Sequence, residues 1–252
     1  MMDAPVLQVA LDMMHLKRAM EIAREAVEGG ADWLEAGTPL IKSEGMEVVR
    51  ELKRAFPDRT IEADMKVMDT GAFEVEMAAK AGADVVHVLG AADDETIRDA
   101  VRAGQKYGVK VAVDLIGIPD RVARAKEVAD MGVHHVCVHV SIDKQMMGLD
   151  PVENLKEVAS AVDIPVAVAG GVNSETAFAV VDAGATIIIV GGAVIKAEQP
   201  TKATAVIKEA MAKGEAIDTE LFKKYKREDI REALVKVSTS NISDAQHHKG
   251  SI

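Results

Sequence analysis

The chain has 252 residues, 48% of them hydrophobic and 28% charged, which is enough to build the core of one large domain. The formal net charge of −11 argues against nucleic acid or an anionic membrane as the main partner, because phosphate recognition needs clustered Lys and Arg. There is one cysteine, no run of about 18 apolar residues and no signal-peptide pattern, so we expect a soluble cytoplasmic protein without an intrachain disulfide.

Short β-branched runs alternate with helix-length amphipathic segments along most of the chain. The predicted strands are Val6–Leu11, Trp33–Glu35, Thr60–Asp64, Val85–Leu89, Val109–Leu115, His135–His139, Val166–Ala169 and Ile187–Val190. The predicted helices are His15–Val27, Gly45–Phe56, Phe73–Ala81, Glu95–Tyr107, Arg121–Met131, Val152–Ala161, Ser174–Asp182 and Lys202–Lys213. This alternation indicates βαβ units and a parallel sheet. Eight units favour an α/β fold of the (β/α)8 TIM-barrel type, whose active site lies at the carboxyl ends of the strands.

The barrel pattern covers residues 1–213 and leaves 214–252 as a separate helical and irregular tail. Within the tail, Thr219–Lys236 is charged and could form a helix, whereas 238–250 is polar and has no core of its own. The pair His247 and His248 could bind a metal, but adjacent residues do not share a helical face.

The third predicted strand runs into a D-x-K-x-x-D motif formed by Asp64, Lys66 and Asp69. Side chains repeat every two residues along a strand, so Asp64 and Lys66 are predicted on the same side, with Asp69 in the turn that follows. The motif predicts two carboxylates and an ammonium at one strand end, which suits charge-stabilising chemistry. A surface ion-pair cluster at a loop would have the same composition.

Other titratable residues follow predicted strands at the same edge. Asp12 follows the first strand, Glu35 ends the second and His139 ends the sixth. Glu35 and Asp64 would offer hard oxygen ligands for Mg²⁺, which seldom has a complete protein cage. Alternatively, Glu35 could simply pair with Lys66. A histidine at this end of a barrel strand is well placed as an acid or base.

The loops after the last two strands are rich in glycine. Gly170 and Gly171 follow the seventh strand, and Gly191 and Gly192 follow the eighth, with a short helix predicted at Ala193–Lys196. Exposed amides and helix N-termini bind anions, and these two loops often bind phosphate in barrels. The pattern favours a phosphate site, although the same glycines could serve only to form tight turns.

Three further residues are interpreted as structural. Cys137 lies in an apolar run and is predicted to be a small buried hydrophobic residue. His87 lies in mid-strand, and His15 is predicted to lie near a helix start.

Taken together, these motifs make the chain similar to the 3-hexulose-6-phosphate synthases, which belong to the orotidine-monophosphate-decarboxylase-like group of phosphate-binding barrels. The resemblance extends from Leu7 to about Lys213, and several dispersed motifs in the right order are more specific than any one alone. The segments that carry it are Leu7–Asp12, Glu35–Pro39, Ala63–Asp69, Ala81–Asp84, Ala169–Val172 and Val190–Ile195.

The resemblance implies a Mg²⁺-dependent aldol addition of formaldehyde to D-ribulose 5-phosphate, giving D-arabino-3-hexulose 6-phosphate, and the reverse cleavage. It implies that Glu35 and Asp64 hold the metal. Lys66 would stabilise the negative charge of an enediolate intermediate, and His139 would act as a proton shuttle.

The same resemblance implies roles for the remaining candidates. Asp12 would position substrate hydroxyls, and the phosphate would lie on Gly170–Gly171 and Gly191–Gly192. The last Asp of the motif typically comes from the neighbouring subunit in this group, so Asp69 implies a homodimer with shared active sites.

Three other functions can be compared with this one, two of them within the same group of enzymes. Orotidine-monophosphate decarboxylases carry a Lys where this chain has Glu35, which argues against them. The 3-keto-L-gulonate-6-phosphate decarboxylases usually carry Arg at two positions that correspond to Ile142 and Gly192 here, which favours the synthase over this nearer alternative. A non-catalytic phosphosugar-binding module of a fusion protein is the third possibility.

The tail carries a second, shorter resemblance. Residues 237–245 resemble the opening of the RraA-like family, to which some synthases are fused. We therefore expect the start of a second domain there, with no activity assigned to it.

Overall fold

Eight parallel strands close into a barrel in the computed structural model, which describes residues 4–139 and 152–221. Each strand pairs with the next, and the first pairs with the last from Val6 opposite Ile187 to Val9 opposite Val190, which closes the ring. The predicted (β/α)8 barrel is therefore confirmed. The strands are β1 (Val6–Leu11), β2 (Trp33–Ala36), β3 (Thr60–Val67), β4 (Val85–Leu89), β5 (Lys110–Asp114), β6 (His135–His139), β7 (Val166–Ala169) and β8 (Ile187–Val190).

Helices follow the strands and lie close to the predicted positions. One short helix, Thr38–Glu44, was not predicted; it begins after Gly37 and has Pro39 in its first turn, where a fixed φ favours helix initiation. The helices within the described ranges are α1 (Leu16–Glu28), α2 (Thr38–Glu44), α3 (Glu47–Ala55), α4 (Gly71–Ala81), α5 (Asp94–Tyr107), α6 (Arg121–Asp130), α7 (Val152–Ala159), α8 (Ala177–Asp182), α9 (Gly192–Ile195) and α10 (Pro200–Lys213).

Strand β3 is three residues longer than predicted, and its last part is irregular. Its pairing with β4 shifts register between Ala63 and Val67, and Lys66 has a left-handed backbone with φ of 46°. Such a conformation is uncommon for a residue other than glycine, and it is found mostly where the surrounding structure enforces it. The D-x-K segment is therefore a bend at the strand end rather than the regular strand that simple alternation assumes.

The barrel interior is apolar on one side and polar on the other. Near β7 and β8, small and branched side chains pack together, among them Cys137, which is buried as predicted. The opposite side is lined by buried polar residues from six strands, β1 to β6. They are Gln8, Glu35, Glu62, Asp64, His87, Asp114 and His135. Since burying polar groups is costly unless they are paired, this half of the interior must be organised by hydrogen bonds and charge.

Several sequence-based expectations fall outside the described residues. These are Ile142, the charged helix beyond Leu221, the His247–His248 pair and the RraA-like segment at 237–245. The predicted domain boundary between residues 213 and 214 stays a prediction, although α10 does end at Lys213. Within the residues described, no helix combines the length and apolar character needed to cross a membrane.

Candidate active site

Asp12 lies at the exposed rim of the barrel, at the carboxyl end of β1. Its carboxylate fits between two backbone turns, one after β2 and one after β8. A Cβ atom on Gly37 would collide with Asp12 Oδ1, and a Cβ on Gly191 would lie 3.3 Å from Oδ2. The absence of side chains at these two positions therefore leaves the space that the Asp12 carboxylate occupies.

Lys66 lies between two carboxylates. Its Nζ donates to Asp64 Oδ1 at 3.1 Å and to Asp114 Oδ2 at 2.9 Å. The side-by-side placement predicted for Asp64 and Lys66 is therefore found, although the left-handed backbone at Lys66 produces it. The alternative pairing of Glu35 with Lys66 is not the one that forms.

Asp114 connects the lysine to a histidine. His139 Nδ1 lies 2.9 Å from Asp114 Oδ2, the same oxygen that accepts from Lys66. The other carboxylate oxygen, Oδ1, accepts from the Ile116 backbone N–H at 2.9 Å. Because an ionised carboxylate only accepts hydrogen bonds, Nδ1 carries the proton in this contact. This tautomer leaves the His139 Nε2 lone pair available to a substrate proton.

The surrounding charges keep this group ionised. Burial opposes ionisation of Asp64, but nearby His87 and Lys66, with a hydrogen bond from Thr38 at 2.7 Å, lower the pKa of Asp64 to about 2. Burial likewise opposes ionisation of Asp114, yet His139 and Lys66 hold the pKa of its carboxyl well below the usual range.

Lys66 is a permanent cation at neutral pH. Burial alone would lower the pKa of its ammonium, but the charges of Asp114 and Asp64 outweigh burial and raise the pKa well above the usual value. The site therefore holds a fixed positive charge between two fixed negative ones, a preorganised arrangement for stabilising charge that develops in a substrate.

Glu35 has different surroundings. Burial raises the pKa of Glu35 well above its usual value, and the charge of Asp64 adds to the effect. The hydrogen bond that Glu35 Oε2 accepts comes from the neutral amide of Gln8, at 2.6 Å. The same Gln8 Nε2 also donates to Glu62 Oε1 at 2.9 Å. Glu35 and Asp64 thus place two buried carboxyl groups on the adjacent strands β2 and β3, and the charge of Asp64 opposes ionisation of Glu35.

A layer of buried polar groups lies beneath these residues. His87 Nδ1 is 3.1 Å from Glu62 Oε1 and 3.6 Å from Asp64 Oδ1. Burial opposes protonation of His87, but Glu62 and Asp64 outweigh it and raise its pKa to about 10. His135 is the opposite case, since burial and the nearby His87 charge lower its pKa well below the usual value. His87 is buried in β4, and it helps to lower the pKa of Asp64.

The predicted phosphate loops lie side by side because β7 and β8 are paired. Gly170 and Gly171 adopt left-handed conformations with φ of 105° and 73°, which only glycine accepts easily. Gly191 precedes the short helix α9, which begins at Gly192 and corresponds to the helix predicted there. Since Gly191 also borders Asp12, this loop adjoins the open site.

Asp69 is not part of the Lys66 group of its own chain. It lies in the turn after β3, as predicted, where it is exposed and its Oδ1 accepts from the Thr70 backbone N–H at 2.7 Å. Three large apolar side chains near it in sequence are also exposed, namely Met68 (53%), Phe73 (69%) and Met77 (37%).

Comparison with known proteins identifies the family of this chain. Residues 5–207 match the model of the orotidine 5'-phosphate decarboxylase / HUMPS family. The chain belongs to this family. Among curated members, it is 43% identical to the 3-hexulose-6-phosphate synthase of Mycobacterium gastri, with the match covering 82% of this chain and 99% of the relative. It is 38% identical to that of Bacillus subtilis, with the same coverage.

Solved structures of family members agree with these relatives. A crystal structure of 3-hexulose-6-phosphate synthase superimposes with a TM-score of 0.77 at 42% identity, covering 81% of this chain and 99% of that one. The 3-keto-L-gulonate-6-phosphate decarboxylase of Vibrio cholerae gives a TM-score of 0.75 at 27% identity, covering 83% and 98%. Within the family, the chain groups with the 3-hexulose-6-phosphate synthases and is an enzyme of the aldehyde-lyase class.

Sequence reasoning missed several residues of this site. Asp114 and Gln8 were not singled out, although both are polar residues within predicted strands. Glu62 lies two residues before Asp64, and the alternation used for Asp64 and Lys66 would have placed it on the same side. Thr38 lies in the Glu35–Pro39 segment that carries the resemblance but was given no role, because its contact with Asp64 depends on the unpredicted helix α2.

Proposed function

We propose that the chain catalyses the Mg²⁺-dependent aldol addition of formaldehyde to D-ribulose 5-phosphate, giving D-arabino-3-hexulose 6-phosphate, and the reverse cleavage. The observation that carries this proposal is the connected row Asp64–Lys66–Asp114–His139, which joins a fixed cation to an oriented imidazole at the open end of the barrel. The relatives named 3-hexulose-6-phosphate synthase support the choice of reaction.

His139 is the proposed proton carrier. With Nδ1–H held by Asp114, its Nε2 accepts the proton that leaves C1 of the ketose. The electron pair of that C–H bond forms an enediolate, whose carbon then bonds to the carbon of formaldehyde. The former carbonyl oxygen of formaldehyde takes up a proton, which the imidazolium returns. Cleavage runs through the same steps in reverse.

Lys66 is the proposed electrostatic stabiliser of the enediolate. An ammonium has three N–H groups, and the contacts with Asp64 and Asp114 use two of them. The third is available to an enediolate oxygen. Because both carboxylates fix the ammonium in place before substrate binds, little reorganisation is needed when negative charge develops. Asp12, at the rim, is placed to accept hydrogen bonds from sugar hydroxyls.

The residues around Glu35 fit a Mg²⁺ ion. Asp12, Glu35 and Asp64 provide hard carboxylate oxygens of the kind Mg²⁺ prefers. The raised pKa of Glu35, caused by burial and by the Asp64 charge, indicates negative charge that a dication would relieve. Glu35 and Asp64 would hold the ion, which would polarise oxygen atoms of the bound ketose. The phosphate of the ketose would lie on the glycine loops after β7 and β8.

We further propose a homodimer with shared active sites. Asp69 is exposed in the turn after β3, where its carboxylate accepts from the Thr70 backbone N–H, and the exposed Met68, Phe73 and Met77 lie near it in sequence. Exposed apolar side chains that cluster on a surface often mark an association site. A two-fold interface there would carry each Asp69 toward the partner.

A complementation experiment tests the shared site. Asp69→Ala and Lys66→Ala proteins, each inactive alone, are mixed under conditions that allow subunit exchange. Each mixed dimer would contain one intact site, so an equal mixture should recover about a quarter of wild-type activity. An equal mixture that stays inactive after verified exchange would refute sharing.

The reaction itself is tested by two assays side by side. One follows formaldehyde consumption with D-ribulose 5-phosphate and Mg²⁺, and the other follows CO₂ release from 3-keto-L-gulonate 6-phosphate. The decarboxylase is the second candidate because of the 27% identical structural neighbour. Against it, Gly192 stands in the turn after β8 at a position where such decarboxylases usually carry Arg. Faster formaldehyde addition supports the synthase, dominant CO₂ release supports the decarboxylase, and activity in neither assay contradicts both.

A further inference from the structure

A second group of ligand-type side chains lies inside the barrel, below the open site. Glu62 from β3, His87 from β4 and His135 from β6 are all buried, with side-chain exposures of 0%, 3% and 0%. One ligand atom from each residue lies within 4.8 Å of those from the other two. Glu62 Oε1 is 3.1 Å from His87 Nδ1, and Glu62 Oε2 is 3.8 Å from His135 Nε2.

Several atoms of this group have no hydrogen-bond partner among the described residues. They are Glu62 Oε2, His87 Nε2 and both ring nitrogens of His135. A buried polar atom without a partner destabilises the fold, so a cluster of them inside one barrel is unusual. Their convergence indicates that something else completes the group.

The charges around the group favour a cation. Glu35 and Asp64 lie near Glu62, and all three are buried acids. Lys66 is already held by Asp64 and Asp114, and His87, 3.1 Å from Glu62, would bind an ion as the neutral imidazole and release its proton.

We propose that Glu62, His87 and His135 form a site for a divalent transition-metal ion such as Zn²⁺. Two imidazoles and one carboxylate are a common zinc ligand set, with bond lengths of about 2.0–2.2 Å. Ligand atoms around such an ion lie roughly 3.3–3.5 Å apart, so the Glu62–His135 separation needs only a small contraction. The ion would join strands β3, β4 and β6.

Gln8 would couple this site to the catalytic carboxylates. Its Nε2 donates to both Glu62 Oε1 and Glu35 Oε2, and its Oε1 is a further acceptor without a partner in the described structure. Hydrogen bonds of this kind orient metal ligands and influence their basicity. The site is chemically distinct from the proposed Mg²⁺ site, because nitrogen ligands favour zinc and its neighbours over magnesium.

A competing trio in the barrel is a poorer candidate. Asp114, Cys137 and His139 also lie close enough to share an ion. However, Asp114 is already bound to Lys66 and His139. Burial raises the pKa of the Cys137 thiol well above its usual value, and thiolate is the form that binds metals. The nitrogen-rich group around His135 is therefore the one to test.

The test uses the full chain, expressed in medium supplemented with Co²⁺ so that the ion can enter as the barrel folds. The purified protein is dialysed against excess Mg²⁺, which occupies the exposed carboxylates. Bound Co²⁺ is then measured by elemental analysis and by its visible absorption. His135→Gln and His87→Gln are compared with His134→Gln, a matched control, since the half-exposed His134 adjoins the group without belonging to it.

We expect about one Co²⁺ per chain in the wild type and in His134→Gln, and at least a tenfold lower content in the other two variants. Circular dichroism identifies any variant that fails to fold, and the remaining variant then decides the outcome. Loss of Co²⁺ from the wild type during Mg²⁺ dialysis would overturn the proposal and leave ordered water as the occupant. Equal Co²⁺ content in His134→Gln and in the folded His135 or His87 variant would overturn it too.

Discussion

Asp114 offers a sharp test of the proposed mechanism. Asp114→Asn keeps the shape of the side chain but removes its charge. Lys66 and His139 both contact the same oxygen, Oδ2. An amide oxygen at that place can accept from them only as a neutral group, and it leaves the amide nitrogen facing the Ile116 N–H, from which it cannot accept. Two charge-assisted contacts of 2.9 Å are weakened or lost. Hydrogen bonds to charged groups contribute about 1.5–3 kcal/mol each, so transition-state stabilisation should fall by about 3–6 kcal/mol.

This loss corresponds to a decrease in kcat of about 10²–10⁴-fold. The assay is steady-state formaldehyde consumption with D-ribulose 5-phosphate, and KM should change far less than kcat because Asp114 is buried beneath the site. Asp84→Asn is the control, since Asp84 also pairs with a lysine, Lys53, at 2.9 Å but lies at the start of β4. A kcat for Asp114→Asn above about a tenth of the wild-type value would refute the reasoning.

A double variant isolates the part that acts through histidine. If Asp114 works mainly by orienting His139, then Asp114→Asn should add little to the effect of His139→Gln. Residues that act as a unit are strongly non-additive. Fully additive losses would mean that Asp114 acts mainly through Lys66 instead.

The remaining predictions concern the cation, the metal, the rim and acid stability. Lys66→Ala should retain the circular dichroism spectrum of the wild type but lose about 10²–10³-fold in kcat. Lys208→Ala, which changes a lysine outside the site, should keep the wild-type kcat. Unchanged formaldehyde addition by Lys66→Ala would remove Lys66 from the mechanism. EDTA should abolish activity and Mg²⁺ should restore it, and full activity in EDTA would exclude the proposed metal. Gly37→Ala should displace the Asp12 carboxylate and lower kcat/KM by about 100-fold. A wild-type kcat/KM in this variant would contradict the prediction, and its crystal structure would show where the Asp12 carboxylate lies. The lowered pKa of Asp64, about 2, means that its ionised form stabilises the fold above its ordinary pKa of 3.8, and that this stability is lost as pH falls toward 2. The difference in unfolding free energy between wild type and Asp64→Asn, measured in urea, should therefore shrink as the pH is lowered from 4 to 2. A difference that stays constant over this range would contradict the lowered pKa of Asp64.

Much of the fold was predictable because its signals are local. Eight apolar runs and the helices between them are visible in sequence, and each boundary depends on a few neighbouring residues. The extension of β3 to Val67 was not predictable in the same way. It depends on the bend at Lys66, which two carboxylates from β3 and β5 stabilise.

The site was predictable where its residues lie in one motif or at an obvious strand end. Asp64 and Lys66 are two residues apart, and His139 closes a predicted strand. Asp114 lies 48 residues from Lys66 and 25 from His139 in the sequence. Its contacts with these two residues could therefore not be predicted before the barrel brought their strands together. The Glu62–His87–His135 group is similar, since periodicity within one strand cannot show which interior positions of different strands meet.

The distribution of the site around the ring has a consequence for folding. The first four strands carry Asp12, Glu35, Asp64 and Lys66, but Asp114 and His139 arrive with β5 and β6. Asp12 also needs the Gly191 turn that follows β8. A half-barrel fragment would therefore hold charged residues without the proton carrier that makes them useful. Enzyme activity should return during refolding only after the last strand has joined the first, which makes catalysis itself a reporter of ring closure.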